Sequence, residues 1–327
     1  MAGYNSKRRV EIPFLENGTT SAKLPRGILE MQAIISLAYS INVTVAGTAV
    51  RPRGSPIKRV QLIADGGKVL HTWKPQSLVK YVEAFEQLAT GAVVSPLTGF
   101  GIGVQTGSVD LPLPFATPRS QDEGIITALP TWAYDELTVV VDWGNVTDVL
   151  VGAAAAGVTT AVDSFITLDG KTGLGNLGDG KSLARGLGVA VTSYREYASA
   201  AANPTFLVDL PRTADIARVI IDAEDTTNGN EPAVVLLNAI TFLENNVVRL
   251  FSNVKGRVVR NNNAKVYGLL NGALPGQYVI DFAEDQSLDT IYAATEKDSA
   301  QLILDVAAGS FNIRVTTLGI EPPKAIA

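Results

Sequence analysis

At 327 residues, with 46% hydrophobic and 18% charged side chains, the chain can bury at least one large core and has the composition of an ordinary globular protein. The absence of cysteine removes disulfides, thiolate nucleophiles and thiolate metal sites, and the single histidine, His71, allows a Ser-His-Asp set only around itself and no multi-histidine metal site within one chain. A net charge of −5 gives no overall cationic field, so no specific nucleic-acid partner is expected, and the depleted inventory of nucleophiles and ligands argues against an enzyme.

Residues 1–20 read as a polar N-terminal arm with one basic cluster, Lys7-Arg8-Arg9, either solvated or directed at an acidic surface such as lipid headgroups. The N-terminus lacks the apolar core of a signal peptide. The longest small-apolar run, Val149–Val158, is too short to span a bilayer, so synthesis in the cytoplasm is expected and the sequons at Asn17, Asn42 and Asn145 are chance matches. Residues 28–45 are rich in β-branched and apolar side chains and predict one long or two short strands. VQLIADGGKVLHTW is the clearest hairpin: a two-residue turn at Gly66-Gly67 pairs Asp65 with Lys68 and puts Val60, Leu62, Ala64, Val69, His71 and Trp73 on one face. That register makes His71 a core histidine with one hydrogen-bond partner rather than a catalytic group.

After Pro75, Leu78, Val82, Phe85 and Leu88 share a helical stripe with Ser77 as N-cap. Residues 91–118, with Gly99, Gly101, Gly103, Pro112, Pro114 and Pro118, have loop and edge-strand chemistry, and strands follow at Gly124–Leu129 and Leu137–Trp143. Residues 144–205 turn Gly- and Ala-rich, with a strand-like piece at Ser164–Leu168 and a helix candidate at Thr192–Ala202, and read as a packed connector.

The remainder repeats the first part. SAKLPRGI near the N-terminus and FLVDLPRTADIARVII at Phe206–Ile221 share Leu-Pro-Arg: Leu24, Pro25, Arg26 and Leu210, Pro211, Arg212. Each opens a unit that closes on an apolar strand carrying Asp, Glu136–Trp143 and Ala300–Val306. ITFLENNVVRLF is a second hairpin with Asn245-Asn246 in place of the glycines, and a helical stretch, Asn253–Tyr267, follows it. The predicted class is all-β, two tandem eight-stranded jelly-roll sandwiches with short helices after the hairpins. The predicted boundaries are an arm at 1–20, a first roll at 21–169, a Gly/Ala-rich connector with a short helix at 170–205, a second roll at 206–321 and a tail at 322–327.

Over residues 20–145 and 190–320 this order of motifs resembles the double jelly-roll major capsid proteins of tailless icosahedral phages with an internal membrane, of the corticovirus type within the tectivirus–adenovirus lineage. The resemblance implies a structural coat protein located in the virion capsid. It further implies upright rolls, homotrimers that act as pseudo-hexameric capsomers, contacts with neighbouring capsomers and with other virion proteins such as vertex proteins, and a lipid surface facing Lys7, Arg8 and Arg9. Two similar rolls per chain, times three, give six similar edges for hexagonal packing.

Two other readings compete. Gly175, Gly180, Lys181 and Ser182 match G-x-x-x-x-G-K-[ST], which in a P-loop NTPase would hold phosphates and Mg²⁺ with Asp142 or Asp222 nearby. The context is wrong: the strand-like FITL ends at Leu168, Gly186 and Gly188 interrupt any helix after Ser182, and no strand–helix alternation suggests a parallel sheet. The match therefore reads as a decoy, and no cofactor is expected. A β-sandwich receptor- or carbohydrate-binding spike module is the other alternative, but Trp73, Trp132 and Trp143 lie in or beside strands rather than in loops. The acidic stretch Asp222–Glu231 reads as an exposed loop, with Asp222, Glu224 and Asp225 offering oxygen ligands suited to Ca²⁺ against the plainer reading of a solvated loop.

Overall fold

The computed structural model describes residues 4–27, 29–45, 48–49, 56–75, 102–116, 127–151, 155–172, 188–199, 201–225, 231–232, 237–248, 251–266, 276–283, 290–307 and 311–321. The chain divides into two units, one reaching to Ala190 and the other covering Val191–Glu321.

The strands of the first unit are β1 (Tyr4–Glu11), β2 (Thr19–Lys23), β3 (Leu29–Val43), β4 (Thr48–Ala49), β5 (Ile57–Ala64), β6 (Lys68–Trp73), β7 (Gly103–Pro114), β8 (Leu129–Pro130), β9 (Leu137–Trp143), β10 (Leu150–Val151) and β11 (Ala155–Thr172). Eight of them pair as a hairpin wrapped on itself. β1 pairs with β11, β2 with β9, β3 with β7, and β5 with β6, all antiparallel. Cross-pairings β11·β3 and β9·β5 then close two sheets with orders β1-β11-β3-β7 and β2-β9-β5-β6. That nesting is a jelly roll. Its interior follows the pleat: β9 alternates strictly between buried and half-buried positions, placing Leu137, Val139, Val141 and Trp143 inside.

The second unit repeats the wrap with β12 (Val189–Ser199), β13 (Asn203–Asp209), β14 (Asp215–Asp225), β15 (Glu231–Pro232), β16 (Leu237–Glu244), β17 (Val247–Val248), β18 (Val254–Lys255), α1 (Gly256–Val266), β19 (Gln277–Asp281), β20 (Ala300–Val306) and β21 (Phe311–Glu321). The orders β12-β21-β14-β19 and β13-β20-β16-β17 are those of the first unit, strand for strand. Val208, Val219, Ile221, Ile240, Phe242, Tyr278, Leu302, Leu304, Phe311 and Ile313 form its core. The chain is thus all-β with two tandem eight-stranded rolls.

Several expected boundaries move. Residues 4–11 of the expected arm are a strand, because β1 runs antiparallel to β11 over eight residue pairs. Leu-Pro-Arg does not open a roll. In each unit it follows the second strand, so the repeat begins at β1 and β12. The helix expected at Thr192–Ala202 is strand β12, in which Val189–Thr192 are buried on both faces; Val, Thr and Tyr content favours the extended backbone over a helix. Ser164–Leu168 belongs to the 18-residue β11, which runs past Leu168 to Thr172. The expected connector at 170–205 therefore contributes strand residues to β11, β12 and β13. Residues 28–45 give one long strand, and the Gly/Pro-rich stretch 91–118 contains β7, a 12-residue strand at the end of its sheet path. Pro112 sits there where a missing N–H is tolerated. Of the strand expected at Gly124–Leu129, residues 124–126 lie outside the described residues and, among the rest, only Leu129 joins a strand, β8; the stretch 76–101 holding the helix expected after the first hairpin also lies outside the described residues.

The first hairpin is real, but its register is shifted. Ala64 pairs with Lys68, leaving a three-residue turn Asp65-Gly66-Gly67 with positive φ at Asp65 and Gly66, and a bulge follows between Leu62 and Ile63. The extra residue turns Val69 out to 45% exposure and brings Leu70 inside beside His71. Asp65 is consequently a turn residue, and the ladder partner of Lys68 is Ala64. In the second hairpin Asn245 and Asn246 both have positive φ, 51° and 62°, the two-residue turn expected of that sequence, and the helix after it is α1.

Candidate functional site

Each roll turns a corner directly after its second strand. Leu-Pro-Arg is such a corner. In the first roll the Leu24 amide donates to the Leu137 carbonyl at 2.8 Å, and in the second the Leu210 amide donates to the Ala300 carbonyl at 2.9 Å, each the last bond tying the second strand to the start of the seventh. Proline then ends the ladder because it has no N–H, and both leucines are buried. The two arginines repeat each other as well: Arg26 Nη2 donates to the Trp132 carbonyl at 3.4 Å and Arg212 Nη1 to the Lys297 carbonyl at 3.0 Å. Trp132 lies in a 3₁₀ turn, Thr131–Ala133, and Lys297 caps another, Ala294–Glu296.

The basic cluster is joined to this corner. Lys7, Arg8 and Arg9 occupy consecutive positions on β1 opposite Asp169, Leu168 and Thr167 of β11, and Arg8 Nη1 donates to the Arg26 carbonyl at 3.3 Å. On the first strand of the second roll, Arg195 Nη1 donates to the Asp209 carbonyl at 3.1 Å, one residue ahead of Leu-Pro-Arg. Arg9 remains exposed.

The acidic stretch is different from what its composition suggests. Asp222 and Glu224 lie on β14, buried rather than in an exposed loop; residues 226–230 lie outside the described residues. Asp222 accepts from Gln277 Nε2 at 2.9 Å on β19. Glu224 and Glu196 share Arg314 of β21, the latter at 3.0 Å from Nε, and Tyr194 donates to Glu196 at 3.0 Å. Burial works against the charged Arg314 guanidinium, yet Glu224, Tyr194 and Glu196 hold its pKa above the usual arginine value; the Tyr194 hydroxyl is pushed up, chiefly by burial. A second pair, Arg218 with Asp281 at 3.1 Å, is 4% exposed on both sides. Carboxylates committed to arginine are poor calcium ligands, and among the described residues no cluster of His, Asp and Glu could hold a metal ion. The alternation of Asp222 and Glu224 with Ile221 and Ala223 is a period of two, a strand signal that composition conceals.

His71 is buried and stacks on Trp73, ring centroids 4.6 Å apart and 6° from parallel, with Phe115 at 5.6 Å. Burial drives its pKa down to about 3, so it is neutral at ordinary pH and packed in the core. Residues 173–187, with Gly175, Gly180, Lys181 and Ser182, lie outside the described residues. The strand that leads toward them, β11, runs closer to the motif than expected, but it is antiparallel to both neighbours, β1 and β3, which is not the parallel setting of a phosphate loop.

Two corners missed in the sequence complete the set. Asn263 on α1 grips the edge of β19 with both ends of its amide: Nδ2 donates to the Val279 carbonyl at 2.8 Å and the Val279 amide donates to Oδ1 at 3.0 Å. Gly256 starts α1 where a Cβ would meet the Leu237 carbonyl oxygen and, at 2.9 Å, the Tyr278 ring.

Two consecutive eight-stranded rolls of one wrapping define a double jelly roll. No protein-family model and no curated protein matches the chain. Solved structures do. The chain is similar to the MCP of STIV, Sulfolobus Turreted Icosahedral Virus, with a TM-score of 0.70 over 98% of both chains at 14% identity. It is similar to the major capsid protein of bacteriophage PM2 with a TM-score of 0.60 over 97% of this chain and 98% of that one at 19% identity. The Faustovirus major capsid protein matches with a TM-score of 0.66 over 98% of this chain and 90% of that one at 10% identity. The fold is that of the double jelly-roll major capsid proteins.

Proposed function

We propose that this chain is a major coat protein of an icosahedral virion, acting as a structural element and not as an enzyme. The observation that carries the reading is the tandem repetition of a complete roll, with its Leu-Pro-Arg corner and turn anchors placed alike in both copies. A threefold assembly of such chains presents six near-equivalent rolls, which suits hexagonal tiling of a shell. The neighbours' capsid roles support the same reading. Neighbouring capsomers and other virion proteins, vertex proteins among them, are the expected partners. An internal lipid membrane is the surface that Lys7, Arg8 and Arg9 of β1 would meet. Flotation with vesicles of acidic lipid tests that last point, and Arg9→Glu should weaken it.

Size-exclusion chromatography with light scattering on the purified chain tests the main reading: a stable species of three chains, with hexagonal plates in negative stain, supports it. A monomer that binds ATP, with binding abolished by Lys181→Ala, overturns it in favour of the nucleotide site.

A further inference from the structure

Around α1 the second roll carries positive charge only. From Asn245 to Ile280 the sequence holds Arg249, Lys255, Arg257, Arg260 and Lys265 and no Asp or Glu, in a protein of net charge −5. Arg257, Asn261 and Lys265 are exposed and follow one another at every fourth position along one row of the helix, with Lys255 exposed just ahead of its first turn. Arg260 is half-buried, its guanidinium over the Tyr278 ring at 5.7 Å from the centroid.

These cations do not hold the roll together. Outside the segment each lysine and arginine with a described side chain has a partner, a carboxylate for Lys23, Lys58, Arg59 and Lys297 and a backbone carbonyl for Arg195 and Arg212. Lys255, Arg257 and Lys265 make no ion pair among the described residues. Arg257 also stands in the first turn of α1, where the helix dipole favours a carboxylate and disfavours a cation. Nor does the wrapping demand the charge: the corresponding stretch of the first roll, residues 74–102, balances Lys74 and Lys80 with Glu83 and Glu86.

We infer that the exposed row of α1, Lys255, Arg257, Asn261 and Lys265, binds the phosphate backbone of a nucleic acid without regard to sequence. Cations and amides are side chains that phosphate oxygens accept from. The row from Arg257 to Lys265 covers about 12 Å of helix axis, the length of about three phosphates of one strand. The rival occupants fit less well. A helix that enters a membrane surface needs a free apolar face, and α1 turns its own inward: Val259 packs against the core and Asn263 bonds β19, leaving Val258 as the exposed apolar residue of the helix among those described. A protein interface centres on an aromatic or aliphatic anchor; α1 has no aromatic side chain, and the middle of its row is Asn261. The inference goes beyond the coat-protein reading and does not depend on it.

Fluorescence anisotropy of a labelled mixed-sequence DNA duplex, titrated with the purified chain between about 50 and about 200 mM salt, tests this. With Lys255, Arg257 and Lys265 each neutralising a phosphate, affinity should fall about 40-fold across that range. Arg257→Gln with Lys265→Gln should weaken binding on the order of 10-fold at the low-salt end and cut the salt dependence to about a third. Both side chains are exposed, so thermal unfolding of this variant should match wild type. Lys23→Gln with Lys58→Gln removes the same charge from the first roll and should bind like wild type. A wild type that ignores the duplex at low salt, an α1 variant that binds like wild type, or a first-roll variant that loses as much as the α1 variant each overturns the inference. So does flotation with vesicles of anionic lipid that depends on Arg257 and Lys265 while the duplex goes unbound, which assigns the row to a membrane. The coat-protein reading is judged separately, by the oligomeric state.

Discussion

Asp65 and Asn245 occupy the same corner of their respective rolls, at the turn between the fourth and fifth strands. Their φ angles are 50° and 51°. Asp65 Oδ1 accepts the Asp135 amide at 2.7 Å and the Glu136 amide at 3.4 Å; Asn245 Oδ1 accepts the Asp298 amide at 2.9 Å and the Ser299 amide at 3.0 Å. Their own amides donate to the Glu136 and Ser299 carbonyls at 2.8 and 3.0 Å. Asp and Asn are the non-glycine residues that best tolerate this backbone region, and both offer an oxygen at the same reach. Asp65→Asn should therefore change stability by less than about 0.5 kcal/mol, because the acceptor is kept. Asp65→Ala should cost about 1–2 kcal/mol, because it loses the acceptor and strains the positive φ. Urea unfolding of the two variants checks the ranking; equal stability for both would break the assignment of the turn as a shared anchor.

Asn263 gives a second prediction. Its side chain does for the edge of β19 what a neighbouring strand would do, supplying one donor and one acceptor to Val279, and the pair is buried. Asn263→Asp keeps the acceptor and loses the donor, so the Val279 carbonyl goes unpaired. Asn263→Ala loses both. Asn263→Ala leaves both backbone groups unpaired, and Asn263→Asp buries a carboxylate with one oxygen against the Val279 carbonyl, so each is expected to cost about 2–4 kcal/mol. Hydrogen exchange at the Val279 amide should speed up in Asn263→Ala before exchange rises in β20; uniform acceleration through the roll would show that α1 does not guard this edge.

The sequence carried the repeat but misplaced its frame. Leu-Pro-Arg is conspicuous because proline cannot continue a strand ladder, so it draws the eye to the corner after the second strand. The first strands, β1 and β12, hold YNSKRRVE and VAVTSYREYAS, whose polar residues imitate an arm and a helix. What makes them strands is pairing with β11 and β21, contacts more than 100 residues away in sequence that local pattern does not reveal. Asn245-Asn246 was legible because the turn chemistry is local. Asp65-Gly66-Gly67 was nearly so, and missed by one residue because a bulge absorbs the slip. The buried charges were hidden for the same nonlocal reason: Asp222 and Glu224 look solvated until Gln277 and Arg314 are brought alongside.

Gly256 yields a prediction in which two effects of opposite sign compete. At an exposed helical position, Gly→Ala gains about 1 kcal/mol of helix propensity. Here the added methyl points at the Leu237 carbonyl oxygen, which belongs to β16 and cannot move aside as a flexible side chain would. Packing should win, so Gly256→Ala should lower the midpoint of thermal unfolding. A raised midpoint would mean that α1 can shift off β16.

His71 sets an acid limit on stability. The folded chain keeps it neutral, with its pKa pushed down to about 3 by burial against Trp73 and Phe115, while the unfolded chain binds a proton near pH 6.5. Between those values the unfolded state holds the extra proton, so this stability is fully present above pH 6.5 and falls as pH drops through the window, by up to about 1.4 kcal/mol per pH unit. His71→Phe preserves a planar ring in the stack and removes the titration. Urea midpoints at pH 7, 6, 5 and 4 should fall more steeply in wild type than in the variant; parallel slopes would place the acid sensitivity elsewhere.

Arg314 and Arg59 both bridge to carboxylates on neighbouring strands, yet they should respond very differently to removal. Arg59 is half exposed and its pair with Asp142 is solvated, so Arg59→Met should cost at most about 1 kcal/mol and depend on salt. Arg314 is 4% exposed, and Glu224, the deepest of its partners, is 1% exposed. Arg314→Met strands that carboxylate in the interior without its guanidinium, and Glu196 loses the same partner, for an expected cost of about 3–5 kcal/mol. The carboxylates can escape by taking up protons, so the deficit should shrink as pH falls toward 5, opposite in sign to the His71 effect. The double variant Arg314→Met with Glu224→Gln should recover part of the loss, since it removes the stranded charge along with the cation. Chemical unfolding of the four proteins at pH 7 and pH 5 checks this. A double variant no more stable than Arg314→Met would mean that lost packing of the arginine stem, rather than the buried carboxylate, accounts for the cost.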